Sequence, residues 1–79
     1  MSRGEWITLF TERLSLLRKE SGMTQQQVAD NIQITLRQYQ RFEKGEQKPG
    51  YDNLLKLADC FQVSLDYLAG RSTSKETLP

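Results

Sequence analysis

Ile34–Pro49 reads ITLRQYQRFEKGEQKP, and this stretch decides the fold. At about 100° per residue, a helix over 36–44 places Arg37, Gln40, Arg41 and Lys44 within one arc of roughly 100°. Tyr39 and Phe42 fall on the far side. Thr35 precedes the helix as an N-cap, because its hydroxyl accepts from a free backbone N–H of the first turn. Gln38, three residues on, completes a Ser/Thr-x-x-Glu/Gln capping box. Gly45, Lys48 and Pro49 then supply the usual C-terminal signals. The stretch predicts a short helix anchored by aromatics and carrying a basic, amide-rich stripe. Two readings of that stripe are open: a solvated polar face, or a surface that recognises a partner.

The segments on either side bear on that choice. Just upstream, TQQQVADNI (Thr24–Ile32) predicts a second helix, with Thr24 as N-cap and Gln27 closing another capping box. Only Gln33, Ile34 and Thr35 separate the two helices, which forces a sharp angle between them. Ala29 is small where helices crossing so closely leave no room for more. Val28, Ile32, Ile34, Tyr39 and Phe42 form an apolar wedge toward the rest of the core, so the Arg37/Gln40/Arg41 stripe faces outward.

Further out, a first helix from Glu5 to Ser21 places Trp6, Phe10, Leu14 and Leu17 on one face, and Gly22 caps its end. GYDNLLKLADCF (Gly50–Phe61) predicts a fourth helix with Asp52 in its first turn, where a negative charge suits the helix dipole. Its buried stripe is Leu54, Leu57, Ala58 and Phe61. SLDYLAG (Ser64–Gly70) predicts a short fifth helix, begun by Ser64 and stopped by Gly70. No useful β alternation appears, so the expected class is all-α. Residues 1–9 are expected to be an N-terminal extension belonging to helix one, 10–70 the domain, and 71–79 a polar, frayed tail.

The chain has 79 residues, a net charge of +1, one cysteine (Cys60) and no histidine. That length makes one domain near the lower limit for a self-sufficient core. A disulfide within the chain is ruled out, and neither a metal site nor a cofactor is expected. Apolar residues come in short groups, so no membrane span is expected. MSRGEWITLF does not read as a signal peptide, and a cytoplasmic setting is the default. Residues 23–50 hold four basic and three acidic side chains, and 51–79 hold three and four. Any electrostatic footprint must then be local. No histidine is present to serve as general base and no Gly-rich loop to cradle phosphate, so an enzyme is not expected. Cys60 reads as a core-edge residue rather than a nucleophile, and Asp59 and Asp66 as surface or capping carboxylates.

RLSLLRKESGMTQQQVADNI, ITLRQYQRFEKGEQKP and NLLKLADCFQVSLDYL stand in this order. In them the chain resembles the helix-turn-helix domains of phage repressor and Cro type, the Xre family. The resemblance covers about Phe10 to Gly70. It implies a compact five-helix, lambda-repressor-like domain whose third helix reads the major groove and whose second lies across the phosphates. Matched residue by residue, Leu36, Arg37 and Arg41 fall at positions that touch base edges, with Gln40 beside them. Leu36 offers no hydrogen bond but can lie against a thymine methyl, while arginine and glutamine suit guanine and adenine edges. Gln25 matches a phosphate contact that also braces the third helix. Lys44, Gln47 and Lys48 match the loop that follows the DNA backbone, with Thr35 and Gln38 grouped beside them. Gln38 is either such a contact or occupied in capping Thr35. Arg18 and Glu43 match a structural ion pair joining helix one to the end of helix three.

Two positions depart from the family pattern. Gln33 stands where the turn usually has glycine, and Gln62 replaces the glycine before the fifth helix. Either is expected to adopt a left-handed conformation at a cost of roughly 1 kcal/mol. Trp6 and Ile7 exceed the pattern; they lengthen helix one, cover the core or supply a dimer contact. The implied function is a sequence-specific double-stranded DNA-binding transcriptional regulator, a repressor, acting as a homodimer on a two-fold symmetric operator. The alternative is an antitoxin or other protein-interaction module that uses the same domain to hold a protein partner such as a toxin.

Overall fold

Chain-end chemistry sets where each helix stops. The computed structural model describes residues 5–71 together with residue 75, and side chains from residue 8 onward. Within them lie α1 (Glu5–Glu20), α2 (Gln25–Asn31), α3 (Leu36–Lys44), α4 (Tyr51–Phe61) and α5 (Leu65–Leu68), and no strand occurs among the described residues. Each helix is followed by one residue in the left-handed region: Gly22, Gln33, Gly45, Gln62 and Gly70. The same pair of backbone bonds closes all five ends. After α2, for example, Gln33 N–H donates to Asp30 C=O at 3.2 Å and Ile34 N–H to Ala29 C=O at 3.0 Å. This is the Schellman arrangement, which satisfies carbonyls the helix leaves without a partner.

Helix starts follow the sequence nearly as closely. Thr24, Thr35 and Ser64 each accept a bond at their side-chain oxygen from the backbone N–H three residues on. The box at Thr24 is complete, since the Thr24 N–H donates to Gln27 Oε1 at 2.8 Å. The box expected at Thr35 is not. Gln38 N–H donates to Thr35 Oγ1 at 3.1 Å, but no bond returns from the Thr35 N–H to the Gln38 side chain. That half of the expectation is corrected, and the Gln38 amide is left outside the cap. Gly50 begins α4 with no side-chain cap at all.

The core gathers one face of every helix. Phe10, Leu14, Val28, Ala29, Tyr39, Phe42, Leu57 and Leu68 have no exposed surface, and Leu17, Ile32, Ala58, Val63 and Tyr67 complete the cluster. Leu54 and Phe61, expected in the α4 stripe, sit half-buried at its margin. Arg13 lies over the Tyr67 ring at 4.2 Å and donates to the Tyr67 carbonyl, so a charged α1 side chain tethers α5. The Trp6 and Ile7 side chains fall outside the described residues, as does most of 71–79. Lys75, which is described, accepts the Ser64 N–H at its carbonyl at 2.9 Å.

Gln33 (φ 63) and Gln62 (φ 54) both adopt the left-handed conformation, as their places in the sequence predicted. An L-residue there carries about 1 kcal/mol of steric cost that glycine avoids. Gln62→Gly should therefore raise the melting temperature by several degrees, at roughly 4–8 °C per kcal/mol for a domain of this size. Gln62→Val, β-branched and harder to place at positive φ, should lower it. Thermal melts of the two variants check both signs.

Candidate nucleic-acid interface

The α2–α3 corner is built from a short turn and a small side chain. The two bonds that close α2 turn the chain within Gln33–Thr35. Ala29 is fully buried, and its carbonyl accepts the Ile34 N–H at the turn. On α3, Tyr39 and Phe42 are fully buried, whereas Arg37, Arg41 and Lys44 are exposed. The helix is thus pinned from behind and open in front.

A second device fixes its orientation. Arg18 on α1 holds Glu43 in a fork, Nε to Oε2 at 2.8 Å and Nη2 to Oε1 at 3.0 Å. Its remaining Nη1 donates to the Met23 carbonyl at 3.1 Å. The two side chains are only 15% and 9% exposed. Glu43 accepts further bonds from the Tyr39 hydroxyl and from Gln25 Nε2 at 3.2 Å. Burial by itself pushes the Glu43 carboxyl up, but the bonds from Arg18, Tyr39 and Gln25 outweigh it and hold the group below its usual range. Burial, then the bond to Glu43, raises the Tyr39 hydroxyl, which stays a donor at any ordinary pH. The family resemblance implied the Arg18–Glu43 pair and a brace at Gln25. The Tyr39 hydroxyl was missed, because the residue reads as an apolar anchor; its place four residues before Glu43 on a helix was the available signal.

The remaining predicted residues divide by exposure. Arg37, Arg41, Lys44, Gln47 and Lys48 are exposed, as is Thr35, whose oxygen also caps α3. Leu36, Gln38 and Gln40 are half-exposed. Gln40 Nε2 donates to Gln25 Oε1 at 3.3 Å, linking the middle of α3 to the first turn of α2. Cys60 is half-buried and burial pushes its thiol up, which suits a packing residue better than a nucleophile. Among the described residues no helix is long and apolar enough to cross a membrane.

Two helices joined by this turn, the second exposed along one stripe and buried along the other, define a helix-turn-helix unit. The family pattern described as Helix-turn-helix matches residues 14–68, and the chain belongs to that family. It is similar to the cryptic phage CTXphi transcriptional repressor RstR of Vibrio cholerae serotype O1. That match is 45% identical over 65 residues, covering 82% of this chain and 58% of the relative. Two Bacillus subtilis proteins are also similar. The uncharacterized HTH-type transcriptional regulator YqaE is 40% identical over 68 residues, covering 85% of this chain and 59% of its own length. The HTH-type transcriptional regulator AnsR is 37% identical over 68 residues, covering 86% and 59%. The chain thus spans under three fifths of the length of these relatives. No solved structure matches it at a significant level. The resemblance read from the sequence and the all-α, five-helix architecture both hold.

The ion pair yields a stability prediction with a defined pH signature. Removing Arg18 leaves a largely buried carboxylate without its cation, so Arg18→Ala should cost about 3 kcal/mol at neutral pH. The Glu43 carboxyl titrates lower in the folded chain than its ordinary value of 4.5. Its contribution is therefore complete above that value and is lost as pH falls through the lower folded one. The stability gap between the parent and Glu43→Gln should be widest near neutrality and close under acid. Denaturant melts from neutral pH down to about 2, below the ordinary carboxylate values of about 4, measure both effects.

Proposed function

We propose that this chain is a sequence-specific, double-stranded DNA-binding transcriptional regulator, acting in the cytoplasm as a repressor with α3 in the major groove. The observation that carries the proposal is the division of α3. Tyr39 and Phe42 have no exposed surface, while Arg37 and Arg41, one turn apart, point away from them and are open to solvent. Guanidinium groups so placed match guanine O6 and N7. In this reading Leu36, Arg37, Gln40 and Arg41 face base edges. Gln25, Thr35, Gln38, Lys44, Gln47 and Lys48 face phosphates and set the register. The names of the three relatives support regulation of transcription, and that of RstR supports repression. They favour this reading over a module whose main task is to hold a protein partner.

We further propose that two copies act together on a two-fold operator. A nine-residue α3 is about 13 Å long and spans about four base pairs. The domain's longest extent is 31 Å, less than the roughly 34 Å between successive major-groove faces on one side of the duplex. One copy therefore presents one half-site, and a second copy is needed for the next.

Arg37→Ala and Arg41→Ala should each weaken cognate binding by about 1–3 kcal/mol and relax selection at one base position. Melting temperatures should barely change. Lys44→Ala should weaken all duplexes alike and flatten the salt dependence by about one charge, because phosphates carry no sequence information. Binding titrations on cognate and scrambled duplexes, together with a footprint of the cognate site, measure these effects. A solvated-face role for α3 is the conclusion if both arginine variants bind as tightly and selectively as the parent. A footprint of one isolated half-site saturated by one chain would exclude the dimer.

A further inference from the structure

We propose that Trp6, in the first turn of α1, covers an apolar groove between the loop after α3, the start of α4 and the end of α5, and so serves its own chain rather than a second copy. The groove encloses about 480 Å³ and is lined by Pro49, Tyr51, Leu54, Ala69 and Arg71. Only Arg71 among them is charged. Tyr51 is 66% exposed, so a large aromatic ring stands at the rim. Apolar surface gathered in one recess favours an apolar cover over water.

The occupant follows from the register of α1, which runs antiparallel to α5. At the end of α1, Glu20 meets Lys75, whose carbonyl accepts the Ser64 N–H at the start of α5. Nearer its beginning, Arg13 lies over the Tyr67 ring and donates to the Tyr67 carbonyl, toward the end of α5. Following α1 back to its N-terminus therefore leads past α5, toward Ala69 and Arg71. Two contacts show which way each side of α1 looks. Arg13 marks the side toward α5. Thr11, whose Cγ2 an added Cβ on Gly45 would approach to 3.3 Å, marks the side toward the end of α3. Phe10 points between them into the core, and is fully buried. At about 100° per residue, Trp6 lies one turn and about 6 Å beyond Phe10, rotated about 40° to the Arg13 side. Helical side chains lean toward the helix N-terminus, which carries an indole from this position further in the same direction. Arg71 at the rim offers a guanidinium, which favours the face of an indole. A covered tryptophan buries about 150–250 Å², well short of the roughly 800 Å² per partner of a standard interface. One side chain of the same chain suits the groove better than a second copy, and pays no entropy of association.

Trp6 is the only tryptophan of the 79-residue chain, so the whole protein can be followed through its indole. Proton NMR should show nuclear Overhauser contacts from the indole ring to the methyl groups of Leu54 and Ala69. In a mixture of labelled and unlabelled chains, isotope filtering should assign those contacts to one chain. The indole emission should lie to the blue of that of the urea-unfolded chain and stay unchanged on dilution. Ala69→Lys, which sets a charge in the groove, should move the emission to the red. Leu16→Lys, at a position of α1 that is 51% exposed, should not. Tyr51→Ala removes one wall at a residue already open to solvent, and should raise acrylamide quenching of Trp6 even if Ala69→Lys fails to fold. Indole contacts that pass between chains would overturn the proposal and make the groove a dimer face. It is equally overturned if residues 76–79 give the contacts to the groove instead, or if emission from the folded parent is as red as from the unfolded chain. Groove variants that fold and leave emission and quenching at the parent's values would place the indole elsewhere, and overturn it too.

Discussion

One carboxylate organises this domain. Glu43 accepts from Arg18 on α1, Gln25 on α2 and Tyr39 on its own helix, so three helices meet at two oxygen atoms. A carboxylate largely removed from water needs such compensation, and here it accepts from a cation, an amide and a hydroxyl. Removing any one donor leaves the others bonded to a charge that has lost part of its support. The apolar core gives the domain its stability, while this cluster gives α3 a single orientation. Hydrophobic contact is non-directional; a forked guanidinium–carboxylate pair is directional, and so limits how far α3 can roll or slide against α1.

That division of labour explains how so few residues present a usable surface. The whole chain has a net charge of only +1, and α3 is only nine residues long. A short helix held loosely would present its arginines over a wide range of angles and lose the geometric match that the proposed base contacts need. Tyr39 and Phe42 fix depth, the Arg18–Glu43 fork fixes rotation, and the Thr35 cap and left-handed Gly45 fix the two ends. At Gly45, even an added Cβ would come within 3.3 Å of Thr11 Cγ2 on α1. The helix end is therefore fitted against its neighbour as well as capped.

Much of this was legible in the chain itself, for identifiable reasons. Capping is local chemistry, so Thr24, Thr35, Ser64, Gly22, Gly45 and Gly70 mark helix ends wherever the helices are placed. The left-handed Gln33 and Gln62 were legible through the family resemblance, because each stands where that pattern has glycine. The incomplete box at Thr35 shows where local chemistry runs short. The Gln38 amide suits a return bond, yet the bond does not form.

By itself the sequence determined the helices, their ends and most of the buried positions among the described residues, from periodicity and capping, and the family resemblance added the ion pair joining α1 to α3. Only the tertiary structure decided what the other polar side chains do around that pair. The Tyr39 hydroxyl reaching Glu43 and the Gln25–Gln40 bond depend on distances of a few ångströms between elements 15 to 18 residues apart or on rotamers within one turn. Hydrophobic pattern is blind to such detail, since a tyrosine ring counts as apolar whatever its hydroxyl does. A hydrogen bond is set by angle and separation, and those exist only once the helices have packed.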